Sequence, residues 1–305
     1  MVSEFNAPDL WADVAVIVVT YNSQDHILGL LTSLRNTSRD LQLRVIVVDN
    51  NSTDATVSMM RSQNDVLLIE AGANLGYAAG INLGMRHAGE CAFVLILNPD
   101  LTLMIHAVDR LVSVFQDKRV GAAVPLICNN DGSIYASLRR EPSVLRSLCD
   151  SLFTGRLTSR IGLPSEFEHR ERSYHQRHSV DWATGAVLLM PLAVARRVGR
   201  WCEDFFLYSE EVDFCRRIRD AGFEIHFEPS SIVIHQGGGS GNSPELSALM
   251  ATNRIRYFQM YHGHLSSALF SMSVLFGHIL RSGNRTHRHI VRVLLKRDRI
   301  ERSSS

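Results

Sequence analysis

Val14-Ala-Val-Ile-Val-Val-Thr20 carries no polar residue until its last position and is mostly β-branched. A strand with one wet face alternates apolar and polar residues, so an unbroken run suits a strand buried on both faces of a sheet. Three further runs have the same character: Leu43 to Val48 ending at Asp49, Val66 to Ile69, and Ala92 to Leu97. Between them the apolar residues change period. Ile27, Leu30, Leu31 and Leu34 recur at helical spacing, a helical stretch starts near the Ser52-Thr-Asp54 cap, Ala78 to His87 reads as a helix, and Val108, Leu111, Val112 and Phe115 form another stripe. Strands alternating with helices predict an α/β fold whose mostly parallel sheet is flanked by helices.

Ligands of such a sheet bind beyond the carboxyl ends of its strands, so the polar residues after each apolar run are the ones to examine. Thr20-Tyr-Asn22, Asp49-Asn-Asn51 and Asn98-Pro-Asp100 should face one crevice. From Cys128 to His178 the sequence is irregular and basic, which reads as a long excursion from the sheet. Val180 to Met190 reads as a strand, Pro191 as the opening of a short helix, and Ser209 as the N-cap of a helix running to Ala221. Two short strands, Phe223 to Glu228 and Ser231 to His235, follow. From Pro244 only helical patterns remain, so the expected division is an α/β domain over 14–240, which would carry the site, and a helical, basic extension over 241–305.

Charge and cysteine content exclude several classes. The 305 residues carry a net charge of only +1, which gives no global field for nucleic acid. The charge is uneven: residues 281–305 hold eight Lys or Arg against Asp298 and Glu301, a local excess of six positive charges. Five scattered cysteines without a CxxC pair indicate neither a disulfide framework nor a zinc site and fit a reducing cytoplasm. Met1 to Asp13 does not read as a secretory signal, and Leu265 to Leu280 falls short of the ~20 residues that span a bilayer. Followed by Arg281 to Arg302, that run suits either an interfacial anchor on anionic lipid or a helix packed on the catalytic domain.

Each candidate motif has two readings. Asp49 could accept a hydrogen bond from a pyrimidine imide, with Thr20 and Asn22 serving the base carbonyls, or it could cap the next helix as an Asx turn. Asn74-Leu-Gly-Tyr-Ala-Ala-Gly-Ile-Asn82 places Asn74 and Gly76 at a strand-to-helix junction, where backbone N–H groups meet phosphate or simply make a tight turn. Asp100, stiffened by Pro99, is either a ligand for a hard Mg²⁺ or Mn²⁺ ion beside a diphosphate or part of an ordinary turn. Glu210, Glu211 and Asp213 crowd the first turn of a helix, where the macrodipole favours negative charge whatever the function. His235 ends a strand before Gln-Gly-Gly-Gly-Ser-Gly241 and is either a metal ligand or a hydrogen-bonded structural residue.

Taken together, Val16-Ile-Val-Val-Thr-Tyr-Asn22, Val47-Val-Asp-Asn-Asn-Ser-Thr-Asp54, Asn74-Leu-Gly-Tyr77, Leu97-Asn-Pro-Asp100, Thr184-Gly-Ala186, Phe206-Leu-Tyr-Ser-Glu-Glu-Val-Asp213 and Ile234-His235 resemble the inverting glycosyltransferase family 2, and within it the bacterial rhamnosyltransferase-like branch. The resemblance implies a GT-A-like fold and a nucleotide-diphosphate-sugar donor, TDP-rhamnose first and UDP-sugars next. It sets Thr20, Tyr21, Asn22, Asp49, Asn74, Gly76 and Asn98 on the donor side. Asp100 and His235 are set on a Mg²⁺ or Mn²⁺ ion, with Asn98 in place of the first aspartate of the Asp-x-Asp motif. Glu211 is implied as catalytic base, at a position that is often Asp, with Trp182, Gly185 and Asp213 on the acceptor side. The acceptor implied is a glycan or polyprenyl-linked glycan of the cell envelope, reached from the cytoplasm with peripheral contact on the inner face of the membrane, and no nucleic acid is expected. Two other functions fit an α/β nucleotide fold. A sugar nucleotidyltransferase would carry a Gly-rich, basic loop where this chain has Thr20-Tyr-Asn-Ser-Gln24, and a non-catalytic binding module would have no need to keep Asp49, Asp100, Glu211 and His235 together.

Overall fold

The computed structural model describes residues 5, 11–38, 40–153, 158, 162–237 and 243–303, the side chains of 297–303 excepted. The chain divides into two compact units. The first comprises Met1–Leu138, Glu171–Phe206 and Glu210–Gly239, and the second Arg139–Arg170, Leu207–Ser209 and Ser240–Ser305. Arg139–Arg170, assigned to the catalytic domain on sequence, thus groups with the C-terminal helices.

A nine-stranded sheet organises the first unit. Its strands are β1 (Ala12–Thr20), β2 (Leu43–Asp49), β3 (Val66–Glu70), β4 (Cys91–Leu97), β5 (Leu101–Leu103), β6 (Val120–Asn129), β7 (His178–Val180), β8 (Val187–Pro191) and β9 (Glu224–His235). The order is β3-β2-β1-β4-β8-β6-β9-β5, with β7 pairing β9. The half β3-β2-β1-β4 is wholly parallel, and β6 and β9 are parallel to each other. β8 enters antiparallel to both β4 and β6. β1 pairs on both edges, and helices cover its faces, which is why its sequence has no polar position to spare. Ile27, Leu30, Leu31 and Leu34 from the helix Ile27–Thr37 pack in one cluster with Val14, Val16, Val18, Val45 and Val47.

Four features depart from the sequence expectation. β6 is a ten-residue buried strand through Gly121-Ala-Ala-Val-Pro125, which reads as no strand because small residues and an interior proline dilute the signal. β9 is one strand where two are expected. Glu228 opposes Pro125 and Ile232 opposes Leu126, so Pro229-Ser-Ser231 bulge out of the pairing beside the proline that has no N–H to give. The expected strand 180–190 is broken, with Trp182–Ala183 and β8 separated by Thr184-Gly-Ala186. The basic excursion contains a helix, Val144–Leu152, capped by Ser143 accepting from the Arg146 N–H. The Gly238–Gly241 part of the glycine loop lies outside the described residues.

The second unit adds helices Pro244–Tyr261, His264–Leu280 and Arg285–Ser303. Its core holds Ala248, Ala251, Ile255, Phe258, Phe270, Val274, Ile290 and Leu294, with the Phe258 and Phe270 rings stacked at 4.0 Å. Arg254 bridges to Glu166 at 2.6 Å. Among the described residues no helix is long and apolar enough to cross a membrane.

In the first unit Arg35, on the helix Ile27–Thr37, grips Asp65 at the start of β3 through Nε–Oδ2 at 2.9 Å and Nη2–Oδ1 at 2.6 Å. Burial opposes ionisation of Asp65, but the hydrogen bond and charge of Arg35, with the Phe5 N–H, outweigh it and hold the carboxyl below 3.8. The folded pKa lies below the unfolded one, so this stabilisation is complete above 3.8 and is lost as pH falls through the folded value. Asp65→Asn should lower the unfolding free energy at pH 7 by about 1–2 kcal/mol, and the gap from wild type should close as pH drops below 3.8, as read from urea midpoints.

Candidate active site

Register decides which polar residues meet. Pairing of β1 with β2 sets Thr20 opposite Asp49, and pairing of β1 with β4 brings Leu97, and the Asn98-Pro-Asp100 turn after it, to the same edge. The Thr20 hydroxyl donates to Asp49 Oδ1 at 3.0 Å, the Ser52 hydroxyl to Oδ1 at 2.5 Å and the Ser52 N–H to Oδ2 at 2.8 Å. Asp49 is therefore buried with both oxygens engaged, which is the Asx-turn arrangement. Asn22 sits at φ 51°, a left-handed position that asparagine tolerates, and its Oδ1 accepts from the Thr53 N–H at 2.8 Å. Between them Tyr21 stands half exposed, an aromatic face at the edge of the crevice.

The glycine block forms the next wall. Asn74 Oδ1 accepts from the Gly76 N–H at 3.2 Å, and Gly76 takes φ 88°. A Cβ on Gly76 would run into Phe206 O, the acceptor for the Tyr77 N–H at 2.7 Å, so only glycine permits this approach. The helix Tyr77–Met85 starts here, and the Tyr77 side chain reaches across the crevice. Its hydroxyl lies 2.8 Å from Asn98 Oδ1 and 3.2 Å from Gly185 O. Burial, followed by the negative charges of Glu210, Glu211 and Asp100, pushes the phenol pKa well above 10.0, so the hydroxyl remains a donor.

β9 returns to the same edge antiparallel to β5, with His235 opposite Leu101 and thus beside Asp100. His235 Nε2 lies 3.1 Å from Asp100 Oδ2, and the Gln236 N–H donates to Asp100 O at 2.9 Å. Burial opposes ionisation of Asp100, but the hydrogen bond and charge of His235 dominate and hold the carboxyl below its ordinary range. His26 joins this cluster through Nδ1, 3.0 Å from Gln236 Oε1. Among the described residues no group of three His, Cys, Asp or Glu side chains could hold a metal ion.

The acidic helix Glu210–Asp220 divides its carboxylates among different tasks. Asp213 is buried and paired with Arg217 Nη2 at 2.6 Å, and Arg217 also donates to Val198 O. Glu211 packs on Gly185, where a Cβ would come within 3.2 Å of Glu211 Cβ. Glu210 is buried, and its Oε2 has no hydrogen-bond partner among the described residues. Burial, then the charge of Glu211, raises the Glu210 pKa well above the ordinary carboxyl value. Trp182 is buried two positions before the Thr184-Gly-Ala186 loop.

The first unit thus brings together Thr20, Asn22 and Asp49 at one strand junction, Asp100 with His235, and Gly185 with Glu211. It sets Asp213 on Arg217 instead. Tyr77 and Glu210 carry geometry that motif reading does not assign. Their signal was present only as neighbours, Tyr77 closing the Asn-Leu-Gly-Tyr block and Glu210 preceding the acidic residue singled out.

Known proteins resemble this chain in sequence and in fold. The glycosyl transferase family 2 model matches residues 15–176. The N-acetylglucosaminyl-diphospho-decaprenol L-rhamnosyltransferase of Mycobacterium tuberculosis is 30% identical over 82% of this chain and 84% of that protein. Rhamnosyltransferase WbbL of Escherichia coli is 24% identical over 73% and 83%. Among solved structures, GalNAc-T7 with UDP, GalNAc and Mn²⁺ matches with a TM-score of 0.63 at 14% identity, over 87% of this chain and 51% of that one, a likeness that concerns the fold. The fold is GT-A-like, and these matches lend no support to a nucleotidyltransferase or a binding module. A family model covering more than half the sequence and a relative matched over most of both lengths settle the membership: the chain is an enzyme of glycosyltransferase family 2.

Proposed function

We propose that this glycosyltransferase moves rhamnose from TDP-rhamnose to a hydroxyl of a lipid-linked glycan in cell-envelope synthesis, inverting the anomeric centre in a single displacement. The observation that carries the reading is the convergence of Asp100–His235, the Gly76–Tyr77 turn and Glu211 beside Gly185 along one sheet edge. Rhamnosyl transfer is supported by the two relatives, both rhamnosyltransferases and one named for a decaprenol-linked substrate. UDP-sugars are the second choice of donor. The enzyme works at the cytoplasmic face of the membrane, with peripheral contact through residues 265–302.

A divalent ion fits the donor set. One buried carboxylate and one imidazole nitrogen, already 3.1 Å apart, suit Mg²⁺ or Mn²⁺ that fills its shell with diphosphate oxygens and water, since such ions use few protein ligands. When bound, the ion offsets charge on the departing diphosphate. Asn74 and Gly76 shape the backbone that faces the phosphates, and Asp49 holds Thr20 and Ser52 in place so that Tyr21 and Asn22 meet the base. Tyr77, donating towards Asn98 and Gly185, keeps donor and acceptor walls in register.

Glu211 takes the acceptor proton. The helix N-terminus favours its negative charge, while burial and the charge of Glu211 favour the protonated form of Glu210 beside it. The hydroxyl oxygen attacks the anomeric carbon as its proton passes to Glu211, and the bond to the diphosphate oxygen breaks. Asp213 positions the helix through Arg217 and does not touch the reacting atoms.

Release of nucleoside diphosphate should be fastest with TDP-rhamnose in a panel that includes UDP- and GDP-sugars; preference for a GDP-sugar would refute the pyrimidine assignment. Asp100→Ala should abolish turnover and also remove the Mn²⁺ dependence of donor binding in calorimetry, a readout that needs no chemistry. Glu211→Gln should lower kcat by roughly 10²- to 10⁴-fold with donor affinity unchanged. Asp213→Asn should instead lower the thermal midpoint and leave kcat near normal at low temperature; collapse of kcat in that variant alone would move the base to Asp213.

A further inference from the structure

In the second unit, helices Val144–Leu152 and His264–Leu280 meet through small and polar residues. Ser151 Oγ donates to Ser273 O at 2.8 Å, Ser273 Oγ to Ser147 Oγ at 2.7 Å, and a Cβ on Gly277 would lie 2.6 Å from Ser151 Oγ. These serines are buried, whereas large apolar side chains face water. Leu145, Leu148 and Leu152 on the first helix, and Leu265, Leu269, Met272 and Phe276 on the second, are 39% to 77% exposed. Along this seam the usual order is inverted, polar inside and apolar outside, which costs free energy in water and is favourable against hydrocarbon.

The two apolar faces point the same way. Ser147 meets Ser273 and Ser151 meets Gly277, so the helices run parallel. At ~100° per residue, the three leucines lie ~110° to one rotational side of the seam on the first helix, and the C-terminal apolar residues ~90° to the other side on the second. For parallel neighbours those arcs fall on one side of the pair, forming a single surface. Arg281 closes its end, donating to Gly277 O and Asp150 O. On the following helix Arg285, Arg288, Arg292 and Lys296 are exposed at helical spacing.

We propose that this two-helix surface docks on an anionic lipid bilayer, with the excursion helix Val144–Leu152 supplying half of the apolar contact. The apolar band lies on the membrane without crossing it, as no described helix is long and apolar enough to span. The basic excess of residues 281–305 favours anionic headgroups as the occupant over a second copy of this chain, because a twofold contact would bring two equally basic extensions together. This rests on the reading of a lipid-linked acceptor yet is tested without it, since the vesicles carry neither donor nor acceptor.

The full chain should sediment with phosphatidylglycerol–phosphatidylcholine vesicles and bind at least about tenfold less to phosphatidylcholine alone. Leu145→Gln/Leu148→Gln/Leu152→Gln and, separately, Leu265→Gln/Leu269→Gln/Met272→Gln should each reduce binding by about tenfold or more with the thermal midpoint unchanged. Loss in the C-terminal variant with wild-type binding in the excursion variant would overturn the two-helix surface while leaving peripheral contact intact. Unchanged vesicle binding in both, with a concentration-dependent dimer that both disrupt, would assign the face to a second copy and overturn the proposal.

Discussion

The burial of β1 on both faces and both edges is the constraint from which the rest of the first unit follows. A strand that pairs in parallel with β2 on one side and β4 on the other must send all three chains out at the same edge. Past the strand ends the backbone ladder runs out within a residue or two, so polar side chains take over, bonding one another and the N–H groups of the turns. Thr20, Asp49 and Ser52 do this at one junction, and Asp100 and His235 at another. The crevice is thus a by-product of strand direction, and its chemistry depends on which residues occupy the few positions past the strand ends.

Close approaches then set how wide that crevice is. Gly76 lets the glycine block touch Phe206, and Gly185 lets a loop from the other side touch Glu211. Tyr77 spans the gap between these two contacts, bonded near Asn98 on one side and Gly185 on the other. A tyrosine is long enough to make that link and, kept neutral by burial and the surrounding carboxylates, keeps its hydroxyl proton for it. On sequence Gly76 reads as a tight turn and Gly185 as part of a strand, because the contact that requires each lies some 25 to 130 positions away in the chain.

What was legible in the sequence follows from whether a residue's environment is local. β1 to β4 could be read because continuous apolar runs need no partner to be recognised. β6 could not: Pro125 is tolerated only because β9 bulges opposite it, a compensation written more than a hundred residues later. The helix Val144–Leu152 was hidden for a different reason, since its packed face carries serines and its exposed face leucines, the reverse of the pattern that identifies a soluble amphipathic helix. At the site, the family blocks identified Asp100, His235 and Glu211, and the structure brings the first two within 3.1 Å. Asp49 shows the limit, because a carboxylate at a strand tip looks the same on sequence whether or not Thr20 and Ser52 hold it.

Glu210 and Glu211 illustrate how burial divides labour between identical side chains. Two adjacent carboxyls at one helix N-terminus cannot both be buried and ionised without large mutual repulsion. Glu210 lies deeper, and its burial together with the charge of Glu211 favours its protonated form. Holding that carboxyl towards its protonated form lessens the repulsion and leaves the helix dipole to act mainly on Glu211. A replacement of Glu210 by glutamine keeps that buried position uncharged at every pH. Burial thus separates two identical side chains: the deeper one is biased towards its proton, and the favourable field of the helix N-terminus is left to the charge of Glu211.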